Sequence, residues 1–152
     1  MIDAIQSVES HDLEQLRQFT ESIIVAEKLA SDPVLQAELI HNVHQNLDWW
    51  LANQEHCCHL KYTRDGRIVA VVLVKNFWNL CSLFVTPELQ RQGIGRALTL
   101  AAIQQCRALS ERPAIRLNSA PNAVAFYAAL GFLPAESSRT LPPGFRAMAL
   151  RL

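Results

Sequence analysis

Between Leu83 and Arg96 the chain reads Leu83-Phe84-Val85-Thr86-Pro87-Glu88-Leu89-Gln90-Arg91-Gln92-Gly93-Ile94-Gly95-Arg96. An apolar run enters a turn with two glycines one residue apart, and a helical pattern begins at once. Glycine tolerates positive φ and lets a ligand approach the backbone closely. Successive free N–H groups at a helix start, helped by the helix dipole, make a binding site for an anion such as phosphate. Arg91 and Arg96 add positive charge beside it. A Rossmann fingerprint needs a third glycine or alanine where Leu98 stands, and a shorter link from strand to glycine. A P-loop needs Gly-Lys-Ser/Thr where the chain has Gly95-Arg96-Ala97. The pattern that is filled is Gln/Arg-x-x-Gly-x-Gly/Ala, by Gln90 through Gly95. A glycine loop with no ligand is the bland alternative for this segment taken alone.

The elements around that turn have to come from a chain of 152 residues, which predicts one domain over residues 1–152. Apolar residues make up 50% and charged residues 18%, so the chain is not disordered. The net charge is zero, which disfavours a nucleic-acid module and gives no electrostatic pull toward an anionic membrane. No apolar stretch approaches the ~18 residues of a membrane span. The opening Met1-Ile2-Asp3-Ala4 shows no basic segment leading into an apolar run, so no signal peptide is expected. Four cysteines at 57, 58, 81 and 106 include no C-x-x-C, and reduced thiols in a cytoplasmic protein are expected.

Ala4 to Val8 reads as a first strand. A helix starts near Ser10 or His11 and carries Leu13, Leu16, Phe19 and Ile23 at helical spacing. Ser31-Asp32-Pro33 starts a second helix, running to about Asn53, with Leu35, Leu39, Val43, Leu47 and Trp50 on one stripe. The Asp65-Gly66 step predicts a hairpin between His56–Thr63 and Arg67–Lys75. Ile68 to Val74 is apolar on both faces, as in a central strand. Asn79 to Val85 is a strand, Ile94 to Leu109 a helix, and Ala114 to Leu117 a strand. Asn122 to Leu130 is a helix closed by Gly131, and Phe132 and the Phe145–Leu152 segment supply two more strands. The order β-α-α-β-β-β-α-β-α-β-β, without strict alternation, is an α+β architecture around a mixed sheet.

Asn118-Ser119-Ala120-Pro121-Asn122-Ala123-Val124-Ala125-Phe126-Tyr127-Ala128-Ala129-Leu130-Gly131-Phe132 follows the fifth strand. With this block in place after the glycine turn, the chain resembles the GNAT superfamily of acyl-CoA-dependent N-acyltransferases. That family carries a Gln-x-x-Gly-x-Gly turn followed, at this spacing, by a Tyr-x-x-Leu-Gly-Phe block. The resemblance is strong over about residues 65–152 and weak over residues 1–60. It implies a seven-stranded, mostly antiparallel sheet with helices on both faces. It also implies an acetyltransferase that moves an acetyl group from acetyl-CoA to a primary amine by direct attack in a ternary complex.

Residue by residue, the resemblance implies that the CoA pyrophosphate rests on the backbone of the turn formed by Gln90, Arg91, Gln92, Gly93, Ile94, Gly95 and Arg96. The pantetheine arm then pairs like an added strand with Leu83, Phe84 and Val85. Tyr127 falls on the family's tyrosine. Its phenol, with an ordinary pKa of ~10, can donate a proton or hydrogen bond to the departing thiolate. A packed aromatic on an apolar helix face is the competing reading. Asn118 and Asn122 flank the same loop, where they hydrogen-bond the cofactor or, for Asn122, cap the helix.

No carboxylate lies on Asn79–Val85, where several family members carry a glutamate, so the general base is left open among ordered water, Asp48, Glu136 and a histidine. Cys81 is the loose candidate for a nucleophile. An acyl-CoA-binding sensor or partner module with weak catalysis is therefore the second reading. His56-Cys57-Cys58-His59 points to alternate faces of a strand and cannot close on one ion, so no metal is expected. His41 and His44, one turn apart, make only half a metal site. Trp49 and Trp50 cannot share a helix face. Phe77 and Trp78 are candidates for the acceptor pocket or for core packing. The last strand has one greasy face, Met148, Leu150 and Leu152, and the resemblance makes a homodimer through it an expectation.

Overall fold

The structure, a computed structural model, describes residues 2–30 and 32–152, so Ser31 of the second helix's expected start lies outside the described residues. In chain order the elements are β1 (Asp3–Ser7), α1 (Leu13–Ala26), α2 (Pro33–Ala52), β2 (Cys57–Arg64), β3 (Arg67–Lys75), β4 (Asn79–Val85), α3 (Ile94–Leu109), β5 (Ala114–Ser119), α4 (Val124–Ala129), β6 (Leu133–Pro134) and β7 (Arg146–Arg151). The seven strands form one sheet in the order β1-β2-β3-β4-β5-β7-β6. Every neighbouring pair is antiparallel except β4 and β5.

Local chemistry explains most of these boundaries. Asp65 and Gly66 turn the chain at φ of 53° and 80°, the mirror-image turn whose twist matches a two-residue hairpin. The turn between β3 and β4 uses Asn76 and Phe77 at φ of 53° and 61°, with the Trp78 N–H donating to the Lys75 carbonyl at 3.1 Å. Asp32 caps α2, its carboxylate accepting from the Leu35 N–H at 2.9 Å ahead of Pro33 in the first turn. The entry to α1 differs from expectation. Ser10–Asp12 is a short 3-10 turn, and the cap is reciprocal between Glu9 and Asp12, so the α-helix proper begins only at Leu13.

The apolar run of β3 is central, as its two-sided hydrophobicity predicts. Ala70, Val72 and Val74 are buried under α3 with Ile94, Leu98, Ala102 and Cys106. Val71 and Leu73 are buried on the other face with Leu16, Leu47 and Trp50 of α1 and α2. Trp50 is buried and Trp49 only half-buried, with the Lys75 ammonium 5.1 Å above its ring. Beneath the helix pair, Lys61 and Asp12 form a buried ion pair at 2.7 Å. His59, beside them in β2, meets Trp50 edge-on at 4.6 Å.

Two details shape the middle of the sheet. β4 carries a bulge: Leu73 faces Ser82 while Val74 faces Leu80, so Cys81 is the extra residue. β4 and β5 pair at one position, Asn79 with Arg116, and then part.

Candidate active site

Beyond Asn79, β4 has no strand beside it on the β5 side, and the gap opens into a cavity of about 740 Å³. β4 contributes Leu80 through Val85, β5 and the loop after it Leu117 through Ala120, and α4 Phe126 and Tyr127. The turn before α3 supplies Gln90, Arg91, Gly93, Gly95 and Arg96. Of the residues singled out in the sequence, Leu83, Phe84, Val85, Gln90, Arg91, Gly93, Gly95, Arg96, Asn118, Asn122 and Tyr127 all line this one cavity. Gln92 and Ile94 do not: Gln92 faces solvent, and Ile94 is buried in the core below α3.

The turn is built for close approach. Gly93 sits at φ 84° as the N-cap of α3, and no side chain caps the helix. The N–H groups of the first turn therefore keep their donors for another acceptor. Arg91 also lies at positive φ, 65°, a local strain that a non-glycine residue carries only where its surroundings impose it. A Cβ on Gly95 would stand 3.3 Å from Val85 Cγ2 and 3.7 Å from the Phe126 ring. The helix start, the last residue of β4 and α4 are thus in contact through the absence of a side chain. A phosphate-bearing ligand fits this cradle.

Tyr127 is 7% exposed and packs edge-on against Phe126 and Phe132, with ring centroids 5.2 and 5.5 Å away. Both readings of this residue are visible at once: the ring is core, and the residue lines the cavity. Burial pushes its phenol well above the ordinary value, so the hydroxyl is protonated at any physiological pH. Burial also pushes the Cys81 thiol up, to about 11, so it is not a thiolate at neutral pH and makes a poor nucleophile. Asn122 does not cap α4. It sits in the 3-10 turn Pro121–Ala123, the N-cap position is Ala123, and no side chain caps the helix.

The other candidates fall elsewhere. Asp48 pairs with Arg17 and Glu136 is exposed, and neither lines the cavity. His41 is exposed, and His44 lies 3.6 Å from Glu21. Phe77 packs against the α3-side core and Trp78 lies under Arg112 at 4.1 Å, so neither forms an acceptor wall. Cys58 faces the α3 side of β2 and Cys57 the helix-pair side, so the His-Cys-Cys-His run does not converge. Among the described residues Glu9, His11 and Asp12 cluster, and Asp12 already serves Lys61 and the Glu9 N–H. Met148, Leu150 and Leu152 pack on the core within the chain, and β6 pairs with the outer side of β7. The greasy face of the last strand is therefore already used.

Sequence reasoning missed Glu27. Its carboxylate accepts from the Gln90 side chain at 3.0 Å, and the same amide nitrogen lies 3.1 Å from the Val85 carbonyl. The α1 end is thereby tied to the glycine turn across 63 residues of sequence, and no local pattern signals it.

Solved structures with this fold include the PaiA N-acetyltransferase of Thermoplasma acidophilum in complex with coenzyme A, at 17% identity and a TM-score of 0.78 over 100% of both chains. An N-acetyltransferase of Rhodopseudomonas palustris matches at 17% identity and 0.79, over 100% of this chain and 97% of that one. A GNAT family acetyltransferase of Brucella melitensis in complex with acetyl-CoA matches at 20% identity and 0.67, over 97% and 88%. No curated protein is similar in sequence at a significant level. The model of the acetyltransferase (GNAT) domain matches residues 10–151. With that match across nearly the whole chain, and a seven-stranded sheet parted between β4 and β5, the chain belongs to the GNAT acetyltransferase family.

Proposed function

We propose that this protein transfers an acetyl group from acetyl-CoA to a primary amine by direct attack in a ternary complex. The single observation that carries the reading is the parted β4–β5 pair, with the uncapped helix start of α3 at one end of the gap and Tyr127 beside it. The N–H groups of the α3 first turn hold the pyrophosphate, assisted by Arg91 and Arg96. The backbone of Leu83, Phe84 and Val85, free of a strand partner toward β5, offers ladder positions to the pantetheine amides. Bound acetyl-CoA supplies the activated acyl carbon. As the amine nitrogen bonds to that carbon and the C–S bond breaks, Tyr127 donates its hydroxyl hydrogen bond or proton to the sulfur, and the proton shed by the nitrogen leaves to water, from which the phenol is restored. Asn118 and Asn122 line the cofactor side as hydrogen-bonding groups.

The high pKa of Cys81 supports the direct route over a covalent one. Four free cysteines among the described residues support a reducing, cytoplasmic setting, and none of those residues forms a helix long and apolar enough to cross a membrane. Apart from Glu27, whose carboxylate is bonded to Gln90, the cavity lining contains no carboxylate or histidine among the described residues. That observation favours the second reading, a binding module with weak turnover. Thiol release from acetyl-CoA across amines, polyamines, amino acids and peptides tests both readings. Turnover with an amine supports the enzyme, and a saturable thermal shift without turnover supports the module. A folded protein that acetyl-CoA does not stabilise refutes both.

A further inference from the structure

The cavity has a second end, on the α1–α2 side of the sheet. Its walls are Ile23, Leu29, Leu39 and Val43 from the helix pair and Phe84 from β4. Ile23 and Val43 are each 4% exposed, and Leu29, Leu39 and Phe84 are half-buried, so the floor of this end is set into the core. Among the described residues, the charged side chains lining the cavity are three: Arg91, Arg96 and Glu27. Arg91 and Arg96 belong to the glycine turn. Glu27 is held at that end by Gln90. The apolar walls of the helix-pair chamber therefore carry no charge, and Glu27 stands at its edge toward the glycine turn.

Resting on the acetyl-transfer reading above, we infer that the acceptor is a small primary amine bearing one apolar substituent, alkyl or aryl-alkyl, and no second charge. An acceptor carboxylate entering this chamber loses its water and meets no cation, and burying an unpaired charge is strongly unfavourable. A second ammonium carried among these apolar walls loses its water, and the one carboxylate of the lining, Glu27, lies at the glycine-turn end beside Gln90. The apolar substituent fits walls of Leu, Ile, Val and Phe, and its burial contributes the binding free energy. The same walls act on the reacting group. Desolvation disfavours the ammonium form and shifts the amine toward its neutral, nucleophilic state. The proton leaves to water as the amine enters, which lessens the demand for a carboxylate base on β4.

The test uses the full chain, acetyl-CoA and matched probes. Phenethylamine and hexylamine carry the apolar body alone. Phenylalanine adds a carboxylate to the first, and 1,6-diaminohexane adds an ammonium to the second. Thiol release gives kcat/KM for each, with the acetyl-CoA thermal shift run on the same sample. The expected result is at least about tenfold preference for each singly charged amine over its doubly charged partner. In Leu39→Glu, which sets a carboxylate in the chamber, the hexylamine to diaminohexane ratio falls below its wild-type value by about tenfold or more. Equal or better turnover of phenylalanine or diaminohexane by the wild type overturns the inference. So does a normal acetyl-CoA shift with none of the four probes turned over. No acetyl-CoA shift in a folded sample overturns the acetyl-transfer reading itself.

Discussion

Asn79 and Arg116 are the sole residues at which β4 and β5 pair, and beyond them β4 keeps its ladder with β3 but has no strand partner on its β5 side. The pairing is pinned from the turn before it, where the Arg116 N–H donates to the Trp78 carbonyl at 2.7 Å. The gap is thus closed at one end by a hydrogen-bonded junction and open at the other, where α3 begins. A ligand that fills it bridges two halves of one sheet.

That geometry predicts that acetyl-CoA stabilises the fold. At ~100 times its dissociation constant a ligand adds ~2.7 kcal/mol. For a chain of this size that is roughly 5–11 °C in melting temperature. Differential scanning fluorimetry with acetyl-CoA, CoA and NAD is the check, and NAD should give far less shift than the other two.

Gly95→Leu should abolish that shift while leaving the protein folded. The new side chain starts 3.3 Å from Val85 and 3.7 Å from the Phe126 ring, and so pushes the helix start away from β4 and α4. Circular dichroism verifies the fold, and calorimetry with CoA reads the loss. Unchanged CoA affinity in the variant would show that the turn is not the phosphate site.

Tyr127→Phe keeps the ring and its two edge contacts and removes only the hydroxyl. Cofactor binding should persist, and turnover should fall by about 10²-fold or more, as expected for loss of a positioned acid. The pH profile carries a sign. Because burial holds the phenol well above its ordinary value, the wild-type rate should not decline on the alkaline side up to pH ~10, where an exposed tyrosine would lose its proton. An alkaline limb near that pH, absent in the Phe variant, would mean that Tyr127 is more exposed in the working enzyme. Turnover within about twofold of wild type would make Tyr127 a packing residue.

His59 predicts the acid limit of stability. Its imidazole is 4% exposed, neither ring nitrogen has a hydrogen-bond partner, and burial pushes its pKa down to about 3. The nearby Asp12 carboxylate, already paired with Lys61, opposes that shift. Between pH ~6.5 and 3 the unfolded chain binds a proton that the folded chain refuses, so stability falls as pH drops through that window. Asp12, whose pKa lies below its usual value through Lys61 despite burial, adds a further loss at lower pH. His59→Leu should flatten the decline between pH 6.5 and 4 in urea titrations. An unchanged slope would mean that the histidine is hydrated in solution.

Where residues signal their own geometry, the sequence was a good guide. Asp65-Gly66 marked its turn, Gly93 and Gly95 marked the helix start, and the two-faced run of β3 marked the middle of the sheet. The element order and the α+β class followed from such local signals. Side chains that take their role from distant partners were not legible. Glu27 reached the site only through Gln90, and the Asp12–Lys61 pair joined residues 49 apart. Asn122 had the right chemistry for a cap, but the chain enters α4 through a 3-10 turn that puts the cap one residue later. The apolar face of β7 looked free because the core behind it is assembled from α3, β3 and β5, none of them its sequence neighbours.

The parting of β4 from β5 also reverses the usual map of amide protection. In an ordinary sheet the slowest-exchanging amides lie in the middle strands, and protection fades toward the edges. Here the fourth of seven strands behaves on one side as an edge: its amides toward β3 sit in a ladder, and those toward β5 face the cavity. Hydrogen exchange along Ser82–Val85, beyond the bulge at Cys81, should therefore alternate between slow and fast from one residue to the next. Filling the gap should slow only the fast set.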